Sequence, residues 1–155
     1  MSAPPDTDLS AAAAHLRLAI TRTARRLRQE AGELSPTAAA ALATVERHGP
    51  LTPSELAEIE RVKRPTATRT LNGLAELGLV ERTPDPADRR SALVNISAAG
   101  RRSLRRLRQR KNAYLARRLR KLPPDDLAAL ERAADLLEAI LESERPGRGD
   151  EGVRG

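Results

Sequence analysis

Residues 50–100 read PLTPSELAEIERVKRPTATRTLNGLAELGLVERTPDPADRRSALVNISAAG, and this stretch decides the fold. Thr52-Pro53-Ser54-Glu55 is a capping box, in which Thr52 and Glu55 satisfy each other's orphan backbone donors. It opens a short helix carrying Leu56, Ala57 and Ile59. Arg64-Pro65 begins another, because a proline in the first turn loses no needed hydrogen bond, with Ala67, Leu71, Leu74 and Gly78 along one side. Two short helices with a tight connection outline a helix-turn-helix. Leu79–Thr83 and Ala92–Ile96 then read as paired strands. The Pro84–Ser91 stretch between them is rich in turn residues and predicts a hairpin with a long basic tip.

Outward from this centre the chain is helical. Upstream, Leu9, Ala13, Leu16, Ile20, Ala24 and Leu27 recur every three or four residues, which predicts a long helix from Leu9 to near Gly32. Ser35-Pro36 starts a second, Ala-rich helix that runs to His48 and stops at Gly49-Pro50. Downstream, Ser97 caps a long helix carrying Leu104, Leu107, Leu115, Leu119 and Leu122. Pro123-Pro124-Asp125-Asp126 breaks it and starts a last helix with a stripe of Leu127, Leu130, Ala134, Leu137 and Leu141. The predicted fold is mainly α with a small β-hairpin wing, in the order α-α-α-α-β-β-α-α. Residues 35–96 form the winged helix-turn-helix lobe, and 9–34 with 97–143 a helical region. The polar segments 1–8 and 144–155 are expected to be disordered.

Composition narrows the function. With no Phe, no Trp and one Tyr, the core must be built from Leu, Ala, Val and Ile, which suits helices. With no Cys there is no disulfide framework, thiolate metal site or thiol sensor. No apolar run is long enough to span a bilayer and no secretory signal stands at the start, so a cytoplasmic protein without a membrane partner is expected. The net charge is +7, yet residues 97–121 alone hold eleven Lys or Arg and no acid, and the remainder of the chain is −4. That segment reads either as a solvated helix face or as one that meets an anion.

With Ala67, Leu71 and Leu74 turned inward, Pro65, Arg69, Asn72 and Glu76 point outward, and Thr66, Thr68 and Gly73 flank them. Arg61, Lys63, Arg64 and Arg69 are four cations with no acid between 61 and 72, whereas 50–96 as a whole carries seven of each sign. The charge is positioned. A helix fits the DNA major groove, where Arg bonds a guanine edge, Asn suits adenine, and Thr reaches bases or phosphates. In Asp88-Arg89-Arg90 the carboxylate stands two residues before Arg90, a spacing expected to steady a guanidinium held out toward a narrow minor groove. A plain amphipathic surface helix and an ordinary charged turn are the alternatives.

Taken in register, Leu56-Ala57, Arg64–Arg69, Leu74–Arg82, Asp85–Arg90 and Ile96–Gly100 resemble the signature of the MarR (multiple antibiotic resistance regulator) family of winged helix-turn-helix regulators. The resemblance implies a sequence-specific transcription regulator, commonly a repressor. It also implies a homodimer built through the N- and C-terminal helices, binding double-stranded DNA at a pseudo-palindromic operator. By that resemblance the helix from Pro65 to Leu77 enters the major groove, Arg90 is the minor-groove arginine, and Asp88 is its salt-bridge support. Gly73 and Ala67 depart from the pattern, where a stronger helix former and a larger aliphatic residue are usual. The apolar stripes of the first and last helices, more than a lobe of this size covers, point independently to a dimer.

Family members often release DNA when a small aromatic or anionic effector binds between the dimer helices and the lobe. His15 and Tyr114 are the candidate effector-binding residues, against surface exposure for the one and core packing for the other; His48 reads as a capping or surface residue. Two distant histidines and no phosphate-cradling loop offer no metal site, cofactor site or nucleophile, which argues against an enzyme. The rival reading is a nonspecific architectural nucleic-acid-binding protein driven by the basic helix 97–121.

Overall fold

The computed structural model describes residues 6–143 apart from 31 and 33. The elements run α1 (Asp6–Gln29), α2 (Pro36–His48), α3 (Pro53–Glu60), α4 (Arg64–Glu76), β1 (Val80–Pro84), β2 (Ala92–Ile96), α5 (Ala98–Leu119) and α6 (Pro124–Ser143). The order is the expected one: mainly helical, with one antiparallel hairpin. The chain divides into two compact units, one ending at Leu115 and the other starting at Ala116.

Local backbone chemistry sets the boundaries. Ser35 caps α2, its Oγ accepting the Ala38 N–H at 3.2 Å. Both arms of the capping box at α3 form: Glu55 N–H donates to Thr52 Oγ1 at 3.2 Å, and Thr52 N–H to Glu55 Oε2 at 2.6 Å. Those bonds hold the Glu55 carboxyl below its ordinary pKa. α3 ends at Arg61 in the left-handed region (φ 52°, ψ 43°), with Val62 N–H reaching back to Ala57 O at 3.0 Å. α4 ends alike at Gly78 (φ 70°), from which Leu79 N–H reaches Leu74 O at 2.9 Å.

The first unit's core gathers Leu42 and Val45 from α2, Leu51, Leu56 from α3, Ala67, Leu71 and Leu74 from α4, Val80, Val94 and Ile96 from the hairpin, and Leu104 from α5. It contains no aromatic ring, the chain's one tyrosine, Tyr114, lying outside it. The hairpin pairs Val80 with Ile96 through Pro84 with Ala92, and Leu51 bridges Val94 from the other side. Gly100 lets α5 start against the hairpin base: a Cβ there would lie 2.1 Å from Leu79 O. Ser97 joins the same corner, its Oγ donating to Gly78 O at 2.6 Å and accepting from Gly100 N–H at 3.0 Å.

Several boundaries differ from expectation. α1 begins at Asp6, inside the segment read as loose, because an apolar stripe marks one face of a helix and not its first residue. Residues 1–5 and 144–155 lie outside the described residues. The first strand is shifted by one residue, and α5 stops at Leu119 so that Leu122 falls in the following turn. Ile59 is 45% exposed, because Leu56 and Ala57 already take the inner face of an eight-residue helix. In the second unit α6 buries no residue, and in α1 Leu9, Leu16 and Ile20 are all exposed. Among the described residues no helix is long and apolar enough to cross a membrane.

Candidate nucleic-acid interface

α4 is seated by Ala67, Leu71 and Leu74, all essentially inaccessible to solvent, and its opposite face is fixed by that seating. Arg64, Pro65, Thr66, Arg69 and Asn72 are exposed and Thr68 is half-buried. Arg64, Pro65, Thr68, Arg69 and Asn72 together line a shallow depression of about 450 Å³. Lys63 is the N-cap and supplies no side-chain cap, so a basic residue stands at the positive end of the α4 dipole. Arg61 lies exposed in the turn before it. Thr70, also on this helix, is engaged locally, its hydroxyl donating to Thr66 O at 2.9 Å.

Asn72 has a partner that sequence reading missed. The Arg82 guanidinium on β1 donates to Asn72 Oδ1. Arg82 stands opposite the buried Val94, so strand alternation assigns its position to the inner face; the long side chain leaves the core edge and ends at α4. An arginine at an inward strand position was the signal available in the sequence.

The wing tip is shaped by two aspartates acting on the backbone. Asp85 Oδ1 accepts the Ala87 N–H and Asp88 Oδ1 accepts the Arg90 N–H, both at 2.9 Å, while Ser91 N–H donates to Asp88 O at 3.0 Å. This corrects the expected Asp88–Arg90 salt bridge: among the described residues no ion pair joins them. An aspartate two residues before an amide closes an Asx turn at less entropic cost than fixing a long guanidinium at an exposed tip. Arg89 and Arg90 are exposed at that tip.

Among the described residues, neither candidate effector residue lines the depression on α4 or the one described below. His15 is exposed on α1. The Tyr114 hydroxyl accepts from Arg26 Nε at 3.0 Å, and the Arg26 guanidinium lies 5.2 Å from the ring centroid. That hydrogen bond, with Glu30 at 2.8 Å, raises the Arg26 pKa above its ordinary value. A separate depression of about 410 Å³ is lined by apolar Leu34, Ala39, Ala43, Leu104 and Leu107 and by four cations, Arg28, Arg47, Arg108 and Lys111. Arg108 pairs with Glu46 at 2.5 Å.

Residues 33–91, spanning this interface, match the model of the MarR family. An uncharacterized helix-turn-helix-type transcriptional regulator of Mycobacterium leprae (strain TN) is 40% identical over 134 residues, covering 84% of this chain and 94% of that protein. The crystal structure of a transcriptional regulator protein from Pseudomonas aeruginosa PA01 superposes with a TM-score of 0.77 at 34% identity, over 89% of this chain and 98% of that one. A mutant MarR from E. coli gives 0.68 at 25% identity, over 91% and 99%. The chain therefore belongs to the MarR family of helix-turn-helix transcriptional regulators, a family of DNA-binding regulators and not of enzymes.

Proposed function

We propose that the protein binds a pseudo-palindromic operator as a homodimer, with α4 in the major groove and Arg89 and Arg90 at the adjoining minor groove, and acts as a ligand-responsive repressor. The observation that carries this reading is the outward face of α4, where Arg64, Thr68, Arg69 and Asn72 surround one depression with no acid between residues 61 and 75. Guanidinium, amide and hydroxyl groups supply the donors that base edges and phosphates accept. Arg61, Lys63 and Thr66 add phosphate contacts at the helix entrance. Support for the dimer comes from the exposed apolar residues of α1 and α6, which a second copy would cover. A twofold assembly implies half-sites about one helical turn apart, roughly 34 Å. Such a regulator works beside the chromosome, in the cytoplasm.

The test is selection of bound fragments, followed by titration of wild type and Arg90→Ala against the selected site and random duplex at fixed salt. A regulator prefers its site by about a thousandfold or more, and Arg90→Ala weakens binding while the fold is kept. Equal affinity for all duplexes would favour the architectural reading based on helix 97–121.

For the effector, the depression beneath Arg28, Arg47, Arg108 and Lys111 combines an apolar floor with a cationic rim, and suits a small amphipathic anion such as an aromatic carboxylate. Such an anion competes with Glu46 for Arg108. An Arg47→Ala/Lys111→Ala variant is then expected to bind DNA normally and to resist release by the anion; unchanged release would place the effector elsewhere.

A further inference from the structure

We infer that Arg82 is a positioning residue for base recognition, turning the Asn72 amide so that it presents donors to the DNA. The inference rests on the proposed placement of α4 and adds to it which chemical edge Asn72 reads. An asparagine side chain has one carbonyl acceptor and one amino group with two donors, whereas a guanidinium only donates. Arg82 can therefore engage Asn72 only through Oδ1, as it does in the structure. The carbonyl is drawn toward β1, and the amino group is left as the free end of an exposed side chain on the outer face of α4.

The consequence for recognition is specific. Paired reading of adenine needs the carbonyl to accept from the base amino group while the amide donates to N7. With the carbonyl engaged by Arg82, Asn72 donates instead to a major-groove acceptor: guanine O6 or N7, adenine N7, or thymine O4. The adenine pairing expected from residue type alone is thus replaced by readout of an acceptor edge. The contact also ties β1, and with it the wing, to the recognition helix, across ten residues of sequence.

The experiment uses the full chain and its selected operator, with each base pair varied in turn, for wild type, Arg82→Met, Asn72→Ala and the double variant. Arg82→Met keeps the apolar stem and removes every donor; melting curves check that the fold is retained. Arg82→Met is expected to cut preference at the same base pair as Asn72→Ala, by about fivefold, and to add nothing once Asn72 is replaced. The salt dependence of binding stays unchanged. In the DNA-free protein, the Asn72 side-chain amide resonances shift on Arg82→Met. Arg82→Met weakening all sequences alike, additively with Asn72→Ala and with a salt slope lower by about one, would make Arg82 a phosphate contact and overturn the inference. Amide resonances that do not move would overturn it as well. A flat wild-type base profile sinks the proposed function together with this inference, whereas a selective wild-type profile blind to Arg82 sinks this inference alone.

Discussion

Arg61 ends α3 in a backbone conformation that L residues other than Asn and Asp seldom adopt. The left-handed region costs a side-chain-bearing residue about 1–2 kcal/mol, while glycine carries roughly 0.5–1 kcal/mol more chain entropy in the unfolded state. Arg61→Gly is therefore expected to hold or slightly raise the thermal midpoint. If Arg61 meets phosphate, the same variant lowers affinity for every sequence and reduces the salt slope by about one. A melting curve and a titration at several salt concentrations separate the two effects. Gly73 poses the converse case: it lies inside α4, and a Cβ there meets nothing within 4 Å. Gly73→Ala should stabilise the fold by about 1 kcal/mol in denaturant titration, because only the helix-propensity penalty is removed.

At the scale of elements, the capping box makes α3 sensitive to acid. Glu55 has a depressed pKa in the folded chain, so its contribution is complete above the unfolded value and fades as pH falls below about 4.5. Glu55→Gln should flatten the stability profile in that window, and Thr52→Ala should cost about 1 kcal/mol at neutral pH. These caps were legible in the sequence because donor and acceptor are three residues apart and the residue types leave few other partners. Hairpin and helix order were legible for the same reason, through proline, glycine and periodicity. What escaped were contacts made across space. Arg82 reaches Asn72 from another element, and Arg26 meets Tyr114 from 88 residues away. Asp88 shows a subtler limit: spacing located its partner residue, Arg90, but not whether amide or guanidinium would be bound. Asp88→Ala should accordingly loosen the tip and weaken operator binding while leaving global stability within about 0.5 kcal/mol, since the tip buries nothing.

For the molecule as a whole, the aliphatic core and the uncovered helices make opposite predictions. Leu42 and Leu71 are wholly inaccessible, and truncating either to alanine should cost about 2–5 kcal/mol. Ile140 and Leu141 are 59% and 65% exposed, so in a lone chain their replacement would be close to neutral. If a second copy covers them, Ile140→Glu/Leu141→Glu yields a folded monomer by sedimentation and abolishes operator binding; an unaltered sedimentation coefficient and affinity would remove α6 from the interface. The Arg26–Tyr114 contact has an optical corollary. The chain has one tyrosine and no tryptophan, so its ultraviolet emission arises from a single fluorophore, seated where the end of α1 meets α5. Quenching or recovery of that lone emitter would report, label-free, whether this joint opens when DNA or a small anion is added.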